Sequence, residues 1–318
     1  MSEIIEKIQD VLSQSDHKEM LFFVSTKSSK KEDKDDFIVK NARISIDIGT
    51  ELRENAVSQL DSLKNKDTTI QEYGTLLSSD QTLLETISYT NVPNLSKLIS
   101  DMGVVDNNEY TQRELLANMF GYIVRIEAGT KNVYLFKKYS RDKALAKNFF
   151  QMIFSVDGYQ KLDPDVIALS PNYDAMLLIE SINGELSGEV LVISRSYFES
   201  FFRYEETYLR NIENNSRKLS DLNALNDLDK FITICKGNRN ALRKLSRIIG
   251  SNEFDELTKE KLLNTITEYN VQVSFDESSK DIVVTEDNYW TILRLLDDDY
   301  VKSDQTGFKY ESHSKQRR

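Results

Sequence analysis

Residues 122–139 read YIVRIEAGTKNVYLFKKY, two apolar runs of strand length on either side of a turn-like Ala128-Gly129-Thr130. β-branched and aromatic residues dominate both runs, 122–126 and 133–139, as they do on a pleated, half-buried surface. Strand texture continues downstream at 149–156. A hairpin of 174–182 with 189–194 is expected around Asn183-Gly184, a favoured turn dipeptide. Past Ser194 the spacing of apolar residues turns helical, over 197–213, 218–234, 239–249, 257–269 and 288–296. Two short strands, 271–275 and 282–285, interrupt it. Strands followed by helices in separate runs give α+β rather than an alternating α/β order.

Upstream of this stretch the texture is mixed. Residues 4–12 have helical spacing, and 20–26 and 37–48 read as strands joined by the charged loop KSSKKEDKDD. Residues 51–63 place Leu52, Ala56, Leu60 and Leu63 on one helical face. A second helix is expected to end near Ile99, before Asp101-Met102-Gly103, and a shorter one to cover 111–119. The expectation is therefore an amino-terminal α+β region over 1–115. A strand-rich, then helix-rich domain follows over 116–318. No internal repeat is visible.

Composition narrows the function. The 318 residues include 15 Tyr and 15 Phe, too aromatic for a disordered chain, and three Pro, too few for a proline-rich linker. A lone Cys235 excludes an internal disulfide and points to a reducing compartment. With only His17 and His313 beside it, neither a tetrahedral zinc site nor a histidine proton relay can be assembled in the usual way. No cofactor is expected. The amino terminus has no basic stretch leading into an apolar core, and no apolar run approaches the roughly 20 residues of a membrane span. The expectation is a cytoplasmic chain without direct membrane insertion, so that any association with the inner face of the cell membrane comes through a partner.

A net charge of −11, from 41 basic and 52 acidic residues, argues against a chain that coats polyanions over its whole surface. Two windows depart from that average. Residues 131–147 hold Lys131, Lys137, Lys138, Arg141, Lys143 and Lys147 against Asp142 alone, and residues 231–250 hold Lys236, Arg239, Arg243, Lys244 and Arg247 with no acid.

The second window is the stronger signal. Arg239, Arg243 and Arg247 recur every four residues with Lys236 one turn earlier, so one helical stripe can carry all four at a spacing of about 6 Å. Leu242, Leu245 and Ile249 occupy the opposite face. Guanidinium groups in such a row, near a helix N-terminus, suit the phosphates of a nucleic-acid strand. The plainer alternative is an amphipathic surface helix whose arginines pair with acids elsewhere. In the first window Tyr134, Phe136, Tyr139 and Phe149 interleave with Lys137, Lys138 and Arg141, a pattern able to stack bases and hold phosphates, though aromatics at strand spacing more often form core. Candidate magnesium-binding acids are Glu127, Glu180 and Asp297-Asp298-Asp299. The triple aspartate, at a helix C-terminus, reads most simply as a solvated stop. No P-loop or G-x-S-x-G elbow is present.

The carboxyl-terminal half carries a resemblance. VLVISRSYFESFFRYEE (190–206), NRNALRKLSRI (238–248), VSFDE (273–277) and ILRLLDDDYVKSDQTGFKYESHSKQRR (292–318) are together similar to the KwaB-type domain of the Kiwa anti-phage system. Leu295, Leu296, Asp299, Tyr300, Ser303, Thr306, Gly307, Tyr310, Ser314 and Lys315 match that pattern at fixed spacing. The resemblance covers roughly 115–318. It implies a non-enzymatic, DNA-binding defence subunit working with a membrane-spanning, KwaA-like partner. It assigns no residue to DNA. The DNA contacts expected from the residues are Lys236, Arg239, Arg243, Lys244 and Arg247, then Lys137, Lys138 and Arg141. A homodimer is expected from the aromatic content. The alternatives are a metal-dependent nuclease effector and a pure interaction subunit that does not touch DNA. Tyr300, Phe308 and Tyr310 predict that the polar segment 300–315 packs back on its domain.

Overall fold

The computed structural model describes residues 3–26, 37–42, 44–65, 69–74, 84–104, 119–139, 150–152, 167–169, 172–182, 185–251, 254–302, 305 and 307–311. The architecture is α+β, and the chain divides into two compact units, residues 1–73 with 81–203, and residues 74–80 with 204–318.

The first unit is built on an eight-stranded sheet. Its strands are β1 (Lys18–Thr26), β2 (Phe37–Ala42), β3 (Ile70–Glu72), β4 (Leu84–Ser88), β5 (Met119–Ala128), β6 (Lys131–Lys138), β9 (Ala175–Ile182) and β10 (Glu185–Val192), in the order β2-β1-β5-β6-β9-β10-β4-β3. All neighbours are antiparallel except β3 and β4. Two short strands, β7 (Phe150–Met152) and β8 (Ile167–Leu169), pair with each other. The stretch 122–139 forms the hairpin its pattern predicts. Ala128 pairs with Lys131, and Gly129 takes φ +60 in the turn, a conformation that costs glycine nothing.

Strand alternation sends Leu21, Phe23, Tyr122, Val124, Ile126, Val133, Leu135, Met176 and Leu178 to one face. There they pack with Ile4, Ile5 and Ile8 of α1 (Glu3–Leu12) and Leu52, Ala56 and Leu60 of α2 (Ile46–Lys64). The other face presents Phe136 to Phe201 and Phe202, at ring-centroid distances of 5.6 and 5.1 Å. Gly121 makes that approach possible, since a Cβ there would lie 2.5 Å from both Lys137 O and the Phe201 ring.

Two expectations in this unit are corrected. β2 stops at Ala42, because Ser45 caps α2 by accepting from the Ile48 amide at 3.3 Å, which commits Ile46–Ile48 to the helix. Helix α3 (Leu95–Val104) runs through Gly103 instead of ending at Ile99, anchored by buried Leu95, Leu98 and Met102. Residues 111–118 of the expected short helix lie outside the described residues.

Helices 197–213 and 218–234 are each divided. Helix α4 (Arg195–Phe201) ends before Arg203, which has φ +56, and α5 (Tyr204–Leu222) follows. Asn223, at φ +47, closes α5, and Asp227 opens α6 (Leu228–Gly237) by accepting from the Lys230 amide. The second unit is completed by α7 (Arg239–Gly250), α8 (Lys259–Tyr269), α9 (Tyr289–Leu296) and a hairpin of β11 (Tyr300–Lys302) with β12 (Lys309–Glu311). Leu242, Leu245, Ile248 and Ile249 of α7 are buried, as are Tyr208, Ile212, Phe231, Leu262, Ile292, Leu293 and Leu296 in the same unit. The strands expected at 271–275 and 282–285 contribute only isolated bridges, at Phe275, Ile282 and Leu225. The carboxyl-terminal hairpin docks through Tyr300, whose ring centroid is 5.6 Å from that of Tyr269, and through Lys309, which donates to Glu268 O.

Candidate nucleic-acid interface

Helix α7 starts where Asn238, in an extended conformation, accepts the Asn240 and Ala241 amides on Oδ1 at 3.0 and 3.2 Å. Such a cap satisfies two of the donors that a helix N-terminus leaves open. It also separates Lys236, in the last turn of α6, from Arg239, the first residue of α7. The four cations therefore stand on two helices and do not form one continuous stripe. The apolar face is as expected, and Asn211 of α5 tightens it by donating to Ser246 O and Oγ at 2.7 and 2.9 Å.

The cations of α7 differ in their surroundings. Arg239 Nε lies 3.4 Å from Glu205 Oε1, on a carboxylate that is 54% exposed. The approach is not a hydrogen bond, and Arg239 Nε and Nη2 find no acceptor among the described residues. Arg243, one turn on, is half-buried, and Lys236 is exposed. Lys244 and Arg247 are engaged. Lys244 donates to Asp299 Oδ2 at 2.7 Å and to Asp297, and Arg247 donates to Asp297. Asp298, at φ +51, turns the chain so that its two neighbours reach the same helix. The triple aspartate is thus no solvated stop. Asp297 and Asp299 are among the more buried charged side chains of the unit, and the cations of α7 offset their unfavourable place at the end of α9.

The first basic window belongs to the other unit. Lys137 Nζ sits 3.0 Å from Asp174 Oδ1 and 5.5 Å from the Tyr197 ring centroid. The Lys138 amide donates to Asp174 Oδ2 at 2.8 Å, while its Nζ donates to Phe120 O and lies 3.3 Å from the Phe120 ring centroid. Tyr134 and Phe136 are core. Arg141, with Lys143 and Lys147, lies outside the described residues. Of the acids considered for magnesium, Glu127 pairs with Arg125, and Glu180 with Lys131 at 2.8 Å. Among the described residues no three His, Cys, Asp or Glu side chains gather as a metal site would require.

One charged cluster has no counterpart in the sequence reading. Arg195 donates from Nε to Glu199 Oε1 at 2.8 Å and from Nη1 to Glu85 Oε1 at 3.0 Å, and its Cζ lies 4.7 Å from the Tyr73 ring centroid. Tyr73 OH donates to Glu199 Oε1 at 3.2 Å. All four residues are buried. Burial pulls the Arg195 guanidinium down, but Tyr73, Glu199 and Glu85 outweigh it and hold the group above its ordinary value. The i,i+4 pair Arg195–Glu199 was the legible sign of this cluster.

Residues 116–306, more than half of the chain, match the family model described as Kiwa protein KwaB-like. No curated protein and no solved structure matches the chain.

Proposed function

The chain belongs to the KwaB-like family of Kiwa proteins, and on that ground we propose that it serves anti-phage defence as a non-enzymatic subunit that contacts DNA. Its working partner is a membrane-spanning, KwaA-like subunit, and it acts as a homodimer. Among the described residues no helix is long and apolar enough to cross a membrane, so in this reading the partner supplies the membrane location.

The observation that carries the DNA reading is the state of Arg239. Its guanidinium is met by the carboxylate of a largely exposed Glu205, 3.4 Å from Nε. A phosphate can compete with that exposed carboxylate for the guanidinium, and the first turn of α7 adds a favourable dipole. Lys236 and Arg243 flank it. Lys244 and Arg247, already held by Asp297 and Asp299, add positive potential. Lys137, Lys138 and Arg141 form the second candidate patch. Because the whole chain carries −11, attraction for DNA is confined to such patches.

The test is a salt titration of duplex DNA binding by the full chain and by a Lys236→Gln, Arg239→Gln, Arg243→Gln variant. Each lost phosphate contact should make the log–log slope shallower by about 0.9, so the variant should lose roughly two to three units and weaken on all sequences alike. An unchanged slope in a folded variant would remove α7 from the DNA site.

A further inference from the structure

The carboxylates that meet the cations of α7 are of two kinds. Asp297 and Asp299 hold Lys244 and Arg247 with side chains only 11% and 6% exposed. Asp297 also caps the C-terminal end of α9, where the helix dipole disfavours a carboxylate, so it depends on its cations. Glu205 differs on each count. Its side chain is 54% exposed, and its Oε1 stands 3.4 Å from Arg239 Nε. It lies in the first turn of α5, where the dipole favours a carboxylate with or without a cation beside it. Water and the helix therefore stabilise Glu205 once Arg239 is withdrawn, whereas Asp297 would lose its main compensation.

We infer that Glu205 is an internal competitor of the nucleic acid: its carboxylate occupies Arg239 in the free protein, is displaced by a strand phosphate, and so sets the affinity of the α7 site. The inference deepens the DNA reading of α7 and rests on it. A phosphate must break the Glu205 contact before it gains the guanidinium, so binding is weakened by the strength of that pair. Exposed ion pairs are weak, and the contact therefore tempers binding without abolishing it. The exchange swaps one anion for another at a single guanidinium and leaves Lys244 and Arg247 on their buried acids. Glu206, the next residue of the same turn, is also exposed and carries the same charge, but makes no ion pair with Arg239. It provides the control for charge without contact.

The experiment measures duplex binding by the full chain, using fluorescence anisotropy with a labelled 20-base-pair DNA at fixed salt. Glu205→Gln should tighten binding about 1.5- to 5-fold, the equilibrium equivalent of one exposed ion pair. Glu205→Ser, at an exposed helix start that tolerates serine, should reproduce the gain. Glu206→Gln should give a smaller one, since it removes only a screened charge. In an Arg239→Gln background, Glu205→Gln should add no more than Glu206→Gln does. Folded Glu205 variants that bind as the parent does, or that gain no more than Glu206→Gln, overturn the inference. So does a full gain that persists in the Arg239→Gln background, because the acid then acts by repulsion and not through Arg239. Arg239→Gln alone separates this inference from the reading beneath it. If it weakens duplex binding while Glu205→Gln changes nothing, Arg239 meets DNA and only the competitor is refuted. If Arg239→Gln leaves the affinity unchanged, or the parent binds no duplex, the α7 site fails and the competitor with it.

Discussion

Lys244 Nζ donates to Asp299 Oδ2 at 2.7 Å, so a cation in the middle of α7 is held by a carboxylate just beyond the end of α9. With Asp297 and Arg247 it forms a group of two cations and two acids at the edge of the second unit's core. This group bears on folding more than on ligand binding.

Replacing Lys244 with Met should destabilise the protein by on the order of 3 kcal/mol, because it leaves Asp299 poorly compensated in a nearly buried place. Adding Asp299→Leu should recover part of that loss. Glu205→Gln, which removes the exposed neighbour of Arg239, should change stability by no more than about 1 kcal/mol. Urea unfolding of the four proteins checks the ordering, and equal losses for Lys244→Met and Glu205→Gln would contradict it.

Arg195 bridges Glu85 of β4 and Glu199 of α4, all buried. Arg195→Leu should cost about 3–5 kcal/mol by leaving two carboxylates without their shared cation. Glu199→Gln keeps an acceptor for Tyr73 and should cost markedly less. Melting temperatures decide the order, and the prediction fails if the glutamine variant melts as low as the leucine one.

Gly121 and Gly103 make a controlled pair. A Cβ at Gly121 would lie 2.5 Å from the Lys137 carbonyl and the Phe201 ring, whereas one at Gly103 would meet nothing within 4 Å. Gly121→Ala should destabilise by about 1–3 kcal/mol or more through overpacking. Gly103→Ala, near the end of α3, should be neutral or stabilising by up to about 1 kcal/mol. Differential scanning calorimetry on both variants is sufficient.

Burial in α6 pushes the Cys235 thiol up to about 12. In the unfolded chain the same thiol ionises near 8.5. Between those values the unfolded state binds fewer protons than the native state, so stability falls as pH rises, by at most about 1.4 kcal/mol per unit. Cys235→Val should show a flatter decline between pH 8 and 10 when urea unfolding is compared at matched pH. A parallel decline in both proteins would exclude the thiol as a source. In the native parent the thiol should also resist alkylation at pH 8.

Much of the fold was legible because local periodicity reports which side of an element meets the core. The Gly129 turn placed β5 beside β6, and Leu242, Leu245 and Ile249 marked the buried face of α7 before any neighbour was known. Boundaries set by capping were read less well. Ser45 and Asn238 look like ordinary polar residues inside apolar or basic runs, yet their side chains take helix amides and end one element as they start the next. Hence the strand drawn through residue 48, and the stripe drawn from Lys236 to Arg247.

The sequence by itself determined the α+β class, the family, the two basic windows and the absence of an acid within a turn of the α7 arginines. Only the tertiary structure decided which acids hold those cations. Helix neighbours stand at i±4, but the acids that hold Lys244 and Arg247 are Asp297 and Asp299, 50 and more residues away. The Glu85–Arg195 contact likewise needs β4 to lie beside β10. Charge pairing over such separations depends on how elements dock, and docking is fixed by the burial of the whole apolar surface, which no short window of sequence contains.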